Sequence, residues 1–233
     1  MVIFIMLIGM LACNQVQAKS YHITHMDIQA TILEDGSLAV HQEITYDFNG
    51  EYNGIYIDIP DTLNTEEYDK FRKQTTALKD SLYNASGVTI TDVSEIKGDT
   101  KQEYTKVSSS SNGRRGVYTI ETTNGIKRLK VYSPAHNTKK TFQIEFILKN
   151  LCVKHNDIGE LYYNFIGGEW QTTIQNLNID IHLPNNQTSE DLKIFAHGPY
   201  NGTCKIVSKN QVNLSVTNVK PRAICSSKSI VSQ

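Results

Sequence analysis

One stretch gathers most of the groups that could do chemistry: ELYYNFIGGEWQTTI, residues 160–174. It holds Glu160, Tyr162, Tyr163, Phe165, Glu169 and Trp170, the only tryptophan of the chain. Rings at this density either stack on a sugar or a partner chain, or anchor a core through their large buried area. Period-two alternation puts Leu161, Tyr163 and Phe165 on one side of a strand, and that side is expected to face inward. Tyr162 and Asn164 fall on the other side and are the candidate contact residues, with Glu160 and Trp170 beside them. Trp170 itself is read first as a core anchor, with Gly167-Gly168 supplying a bulge or a tight corner.

Other chemistries find less support. Asp157, Glu160 and Glu169 offer carboxylates near the rings. Glycoside hydrolysis needs two of them roughly 5 to 9.5 Å apart, a separation that surface turns supply by chance, so no catalytic residue is assigned. Asn156, Asp157 and Glu160 carry oxygen ligands but not the dense acidic array of a calcium loop. His22, His25, His41, His136, His155, His182 and His197 are scattered, and no G-x-S-x-G occurs. Cys13, Cys152, Cys204 and Cys225 form no C-x-x-C and no zinc spacing. No metal and no cofactor is therefore expected. Asn84, Asn186, Asn201 and Asn213 begin N-x-S/T sequons, which an Asn-rich chain yields by chance.

The elements that must position these residues read mostly as strands. Met26, Ile28, Ala30 and Ile32 alternate with polar residues, and so do Leu38, Val40, Ile44, Tyr46 and Phe48 after Glu34-Asp35-Gly36. A two-residue loop would mix the faces, because a slip of one residue turns every side chain over. A three-residue loop, Glu34 to Gly36, pairs Ile32 with Leu38, Ala30 with Val40 and Met26 with Ile44, with Gly36 at positive φ. Ile55, Ile57 and Ile59 follow, with Pro60 as a stop. Further strand signals lie at 88–93, 117–122, 129–132, 142–148, 177–183, 192–195, 204–207 and 212–216. One segment keeps helical spacing: Tyr68, Phe71, Thr75, Leu78 and Leu82, opened by Asn64 and Glu67 and closed by Gly87. The expected fold is mainly β, an antiparallel β-sandwich of roughly ten strands with one inserted amphipathic helix over about 65–83.

Composition bounds the rest. The 233 residues are 39% hydrophobic and 20% charged, which allows a packed core and argues against disorder. A net charge of −1 forces no basic face, so nucleic acid is not an expected partner. Val2 to Ala12 is a charge-free apolar run, too short to span a roughly 30 Å hydrocarbon core as a helix. It suits a signal peptide cleaved after Val16-Gln17-Ala18, although no Lys or Arg precedes it. Lipidation at Cys13 and an uncleaved anchor are the competing routes. Residues 1–18 are thus expected to be a leader and 19–233 an exported domain, in which the cysteines form one bridge and a free thiol or stay reduced.

Four ordered motifs carry a resemblance: DGSLAVHQEITYDF, GIYIDIP, ELYYNFIGGEW and HGPYNG. From about Tyr21 to Lys220 the chain resembles the ectodomain of the bacterial domain-of-unknown-function 2207 family of predicted membrane proteins. The resemblance implies a secreted β domain that continues into transmembrane helices, with no established activity. Three departures stand out. Ile57 replaces a frequent Arg, Tyr163 replaces a Trp, and PRAICSSKSIVSQ follows Lys220 where the family continues with a strand and membrane spans. A fragment, a truncated paralogue and a divergent end are all compatible with that last departure. The functional expectation is a non-enzymatic cell-envelope ectodomain on the outer side of the bacterial membrane. Its expected partners are membrane or envelope proteins and, as a second class, cell-wall glycan. The alternative is a carbohydrate- or peptidoglycan-binding module.

Overall fold

Alternating apolar residues build the frame. The computed structural model describes residues 18–61, 85–154, 158–167, 170–184, 192–223 and 225–232. Among them every regular element is a strand. The first two strands, β1 (Ser20–Ile32) and β2 (Leu38–Pro60), form the hairpin expected from the pattern, with Ile32 opposite Leu38, Ala30 opposite Val40 and Met26 opposite Ile44. Leu33 N–H donates to the Ser37 carbonyl at 2.9 Å, and Gly36 closes the loop at φ +79°.

Twelve further strands follow: β3 (Val88–Lys97), β4 (Thr100–Glu103), β5 (Thr105–Lys106), β6 (Val117–Thr123), β7 (Ile126–Leu148), β8 (Val153–Lys154), β9 (Ile158–Ile166), β10 (Ile174–His182), β11 (Lys193–His197), β12 (Thr203–Ser208), β13 (Gln211–Val219) and β14 (Cys225–Ser232). Ten of them with β1 and β2 counted make a large sheet in the order β12-β13-β10-β1-β2-β7-β3-β4, with β6 beside the first half of β7 and β5 beside β6. The other four make a small sheet in the order β11-β14-β9-β8. One hydrophobic core joins the two, with Leu161, Tyr163 and Phe165 of β9 packed with Ile28, Ile44 and Phe146 of the large sheet.

The expected antiparallel sandwich needs correction. The large sheet is mixed: β1 runs parallel to β10, with Ile23 opposite Ile174 and Ile28 opposite Ile179, and β5 runs parallel to β6. Alternation reports which face a residue takes, and that is the same for either strand direction. β2 runs through Asn49-Gly50 and Asn53-Gly54, and β7 runs through Ser133-Pro134. These residues bend the strands instead of ending them. The β2–β7 ladder shifts register between Phe48 and Glu51 and again between Tyr52 and Gly54, and Asn137 stands at φ +44°. The helix expected over 65–83 lies outside the described residues, as do residues 1–17.

Candidate functional site

The β9 segment sits where its alternation directs it. Leu161, Tyr163 and Phe165 are buried in the core, with the rings of Tyr163 and Phe165 edge to face at 4.9 Å. Burial pushes the Tyr163 phenol well above the ordinary tyrosine range. Asn164 is exposed. Tyr162 lies outside the core cluster yet is only 9% exposed, and Ser226 of β14 hydrogen-bonds its hydroxyl. Glu160 is 5% exposed in the same covered layer. The two are thus poorly placed to form an open platform with Asn164. Asp157 and Glu169, the other candidate carboxylates, lie outside the described residues.

Trp170 is half-buried against the core, and its carbonyl accepts the Arg222 N–H at 2.8 Å. Its ring wall is shared by two clefts. The smaller, of about 140 Å³, lies between the sheets and is lined by Ile28, Val40 and Phe146 on one side and Tyr163, Asn164 and Phe165 on the other. The larger, of about 270 Å³, is lined by Tyr21, Tyr46, Phe48, Tyr52, Tyr56 and Trp170, with Asp58 and Gln171. Two motifs separated by a hundred residues therefore meet at Trp170: the Gly54-to-Pro60 run of β2 and the run that ends β9.

The local backbone makes this aromatic cleft possible. At Gly54, φ is +147° and an added Cβ would lie 1.9 Å from the Val131 carbonyl oxygen, so β2 and β7 approach at a distance only glycine allows. Tyr46 and Phe48 stack at 5.5 Å and form the buried floor. Tyr21 and Tyr52 meet edge to face at 5.6 Å and are half-buried. Burial, helped by the neighbouring tyrosines, raises the Tyr21 phenol above its ordinary value, so the ring is neutral at physiological pH. On the rim, Tyr56 is 54% exposed. The Arg128 guanidinium lies over that ring at 5.1 Å and is itself held by Asp58 through two hydrogen bonds of 2.7 and 2.6 Å. Sequence reasoning found Trp170 but not its partners. Tyr56 comes from a run read only as a strand, and Tyr21 and Tyr52 lie just outside such runs; the signal that marked Tyr52 and Tyr56 was the aromatic density in FNGEYNGIY.

A second polar cluster escaped the sequence entirely. Glu95 of β3, 3% exposed, accepts from Tyr104, from Ser133 Oγ at 2.9 Å and from Lys140 Nζ at 3.3 Å. Lys140 Nζ also donates to Ser133 Oγ at 2.6 Å. A serine–lysine pair can be a nucleophile and its base. Burial pulls the Lys140 ammonium below its ordinary value and the Glu95 carboxylate opposes that shift; Ser133 is 1% exposed, so the cluster ties the bend of β7 and presents no nucleophile to solvent.

A third cleft, of about 710 Å³, opens between the edges β11 and β12 and is lined by His197 to Tyr200, Gly202, Cys204, Leu214 and Cys225. His197-Gly198-Pro199 turns the chain there, as its sequence reads. Cys152, Cys204 and Cys225 are all reduced. Among the described residues no helix is long and apolar enough to cross a membrane.

Comparison with known proteins identifies one family. A model described as the N-terminal domain of a predicted membrane protein (DUF2207) matches residues 22–226. No curated protein matches. Among solved structures, a protein of Parabacteroides distasonis has a TM-score of 0.48 at 9% identity over 90% of this chain and 40% of that chain. The leukotriene A4 hydrolase of Saccharomyces cerevisiae has a TM-score of 0.48 at 10% identity over 90% of this chain and 29% of its own. An M1 zinc metallopeptidase of Deinococcus radiodurans has a TM-score of 0.42 at 11% identity over 89% of this chain and 42% of its own. This chain thus spans less than half of each of these proteins, and at such scores nothing of their chemistry transfers to it.

Proposed function

The chain belongs to the DUF2207 family of predicted membrane proteins, and from that premise we propose that residues 19–233 form a non-enzymatic domain on the outer side of the bacterial membrane, working through protein or wall contacts. The observation that carries the contact role is the aromatic cleft at Trp170. Its floor is buried and its rim ring, Tyr56, stays 54% exposed while a guanidinium fixes it in place. A ring held ready costs little side-chain entropy when a partner covers it. The same cleft argues for binding over catalysis. Among the described lining residues the carboxylate is Asp58, and Arg128 occupies both of its oxygens in a fixed ion pair.

Export is supported by the apolar run Val2 to Ala12, the Val16-x-Ala18 site and the family description. Cell fractionation with mass measurement of the N-terminus tests it. A mature species starting at Lys19, a lipid adduct on Cys13 or an unprocessed chain held in the membrane is the outcome this reading requires, one for each of its three routes. An unprocessed chain in the cytosol would end it.

A further inference from the structure

We propose that the aromatic cleft binds a neutral pyranose ring, so that the contact outside the membrane is with glycan. The inference rests on the envelope reading for its source of sugar and on geometry for the rest. The cleft is lined by six aromatic rings, and the hydrogen-bonding groups among them are the Asp58 carboxylate, the Gln171 amide and the tyrosine hydroxyls. A pyranose matches that set. Its flat C–H face covers a ring, and its equatorial hydroxyls meet amide and carboxylate groups at the edge.

Size and charge narrow the occupant. At about 270 Å³ the cleft lies just below the ~300–1,000 Å³ of sites for drug-sized ligands, which fits one sugar ring with its neighbours left in solvent. Among the described lining residues Asp58 is paired with Arg128 at 2.6 Å, so together they offer no net charge to an anionic lipid headgroup or a basic peptide. Lys19 adds a cation only over the Tyr52 ring, at 5.2 Å. The Asp58–Arg128–Tyr56 stack sets the orientation of the exposed ring before any ligand arrives, as a stacking platform needs.

The lone tryptophan is a reporter in the cleft wall. The test is a titration of Trp170 emission in the protein purified from cells expressing the full chain, using the N-acetylglucosamine tetramer and cellotetraose as separate probes. A saturable change with either sugar supports the proposal, provided that Tyr56→Ala weakens it at least tenfold and Tyr56→Phe, which keeps the ring, stays within a few-fold of the parent. Tyr56 is exposed, so its variants fold, and circular dichroism checks that they do. No saturable change up to about 10 mM sugar, where a Kd of ~1 mM would already be saturated, overturns the proposal. Sugar binding that Tyr56→Ala leaves intact overturns it too, by placing the sugar elsewhere. So does an extended peptide that shifts Trp170 emission when neither sugar does. The outcome is independent of export: an exported protein that ignores sugar loses this inference alone, and a cytosolic one that binds sugar loses the envelope reading alone.

Discussion

Replacing Glu95 with alanine should cost the fold about 3 to 5 kcal/mol, because it leaves a buried charge uncompensated. Ser133 and Lys140 lie on one strand, β7, where a straight path at roughly 3.3 Å per residue would hold their Cα atoms about 23 Å apart. Their side chains nevertheless meet at 2.6 Å, so the strand is bent around the carboxylate they share. The Lys140 side chain is 11% exposed and lies 3.3 Å from Glu95, its nearest anion. Removing the carboxylate strands that ammonium and takes an acceptor from the Tyr104 and Ser133 hydroxyls. Lys140→Met alone removes the cation, and the double variant Glu95→Ala/Lys140→Met should cost less than the sum of the singles by roughly 0.5 to 3 kcal/mol. Denaturant unfolding of the purified protein measures all three. A loss below about 1 kcal/mol for Glu95→Ala, or strict additivity, would refute the pinned-bend argument. Acid gives an independent view. Burial alone would raise the Glu95 pKa, but the hydrogen bonds from Tyr104 and Ser133 and the charge of Lys140 outweigh it and hold the carboxyl below its ordinary value of 4.5. A depressed folded-state pKa contributes stability in full above the unfolded value and loses it as pH falls through the folded one. The parent should therefore lose stability from about pH 4.5 downward, and Glu95→Gln should flatten that limb.

Three further substitutions probe the frame of the cleft. Gly54→Ala should destabilise by more than 2 kcal/mol, roughly, since its Cβ would meet the Val131 oxygen at 1.9 Å and no rotamer can relieve it; an unchanged unfolding midpoint would deny the close approach of β2 and β7. Gly36→Val should cost about 1 to 2 kcal/mol, because φ is +79° there and a β-branched residue resists it; a neutral result would contradict the three-residue loop. Trp170→Ala should cost about 3 kcal/mol, the low end for a large ring because it is only half-buried; an unchanged Tm would mean that the ring packs against nothing.

Much of this fold was legible because alternation is local. The β1–β2 register followed from which residues share a face, and so did the inward side of Leu161, Tyr163 and Phe165. What alternation does not encode went unread. Strand direction is invisible to it, hence the parallel β1–β10 pair. Long-range pairing of β2 with β7 carries both strands through Asn-Gly and Ser-Pro, past the ends that local alternation marks. β14 was missed because SSKSI is polar and unpatterned, and it forms by pairing with β9 and β11 on both edges. In the site, Trp170 was visible as the lone tryptophan. The cleft was not, since Tyr21, Tyr56 and Trp170 meet only after two sheets close. Tyr162 was placed on the correct face of β9, but cover by Ser226 of β14 is a tertiary fact no alternation reports.

The central claim is that this domain works outside the membrane, and a thiol tests it most directly. Cys204 is exposed, whereas Cys225 is buried and Cys152 half-buried, with burial pushing their thiols up to about 11 and about 12. Cys204 is therefore the site a maleimide should reach first. Intact cells or spheroplasts expressing the chain are treated with a membrane-impermeant maleimide after mild reduction, with Cys204→Ser as the control. The account predicts labelling of the parent without permeabilisation and its loss in the serine variant. Labelling that appears only after the membrane is broken would place the domain inside the cell and contradict the account.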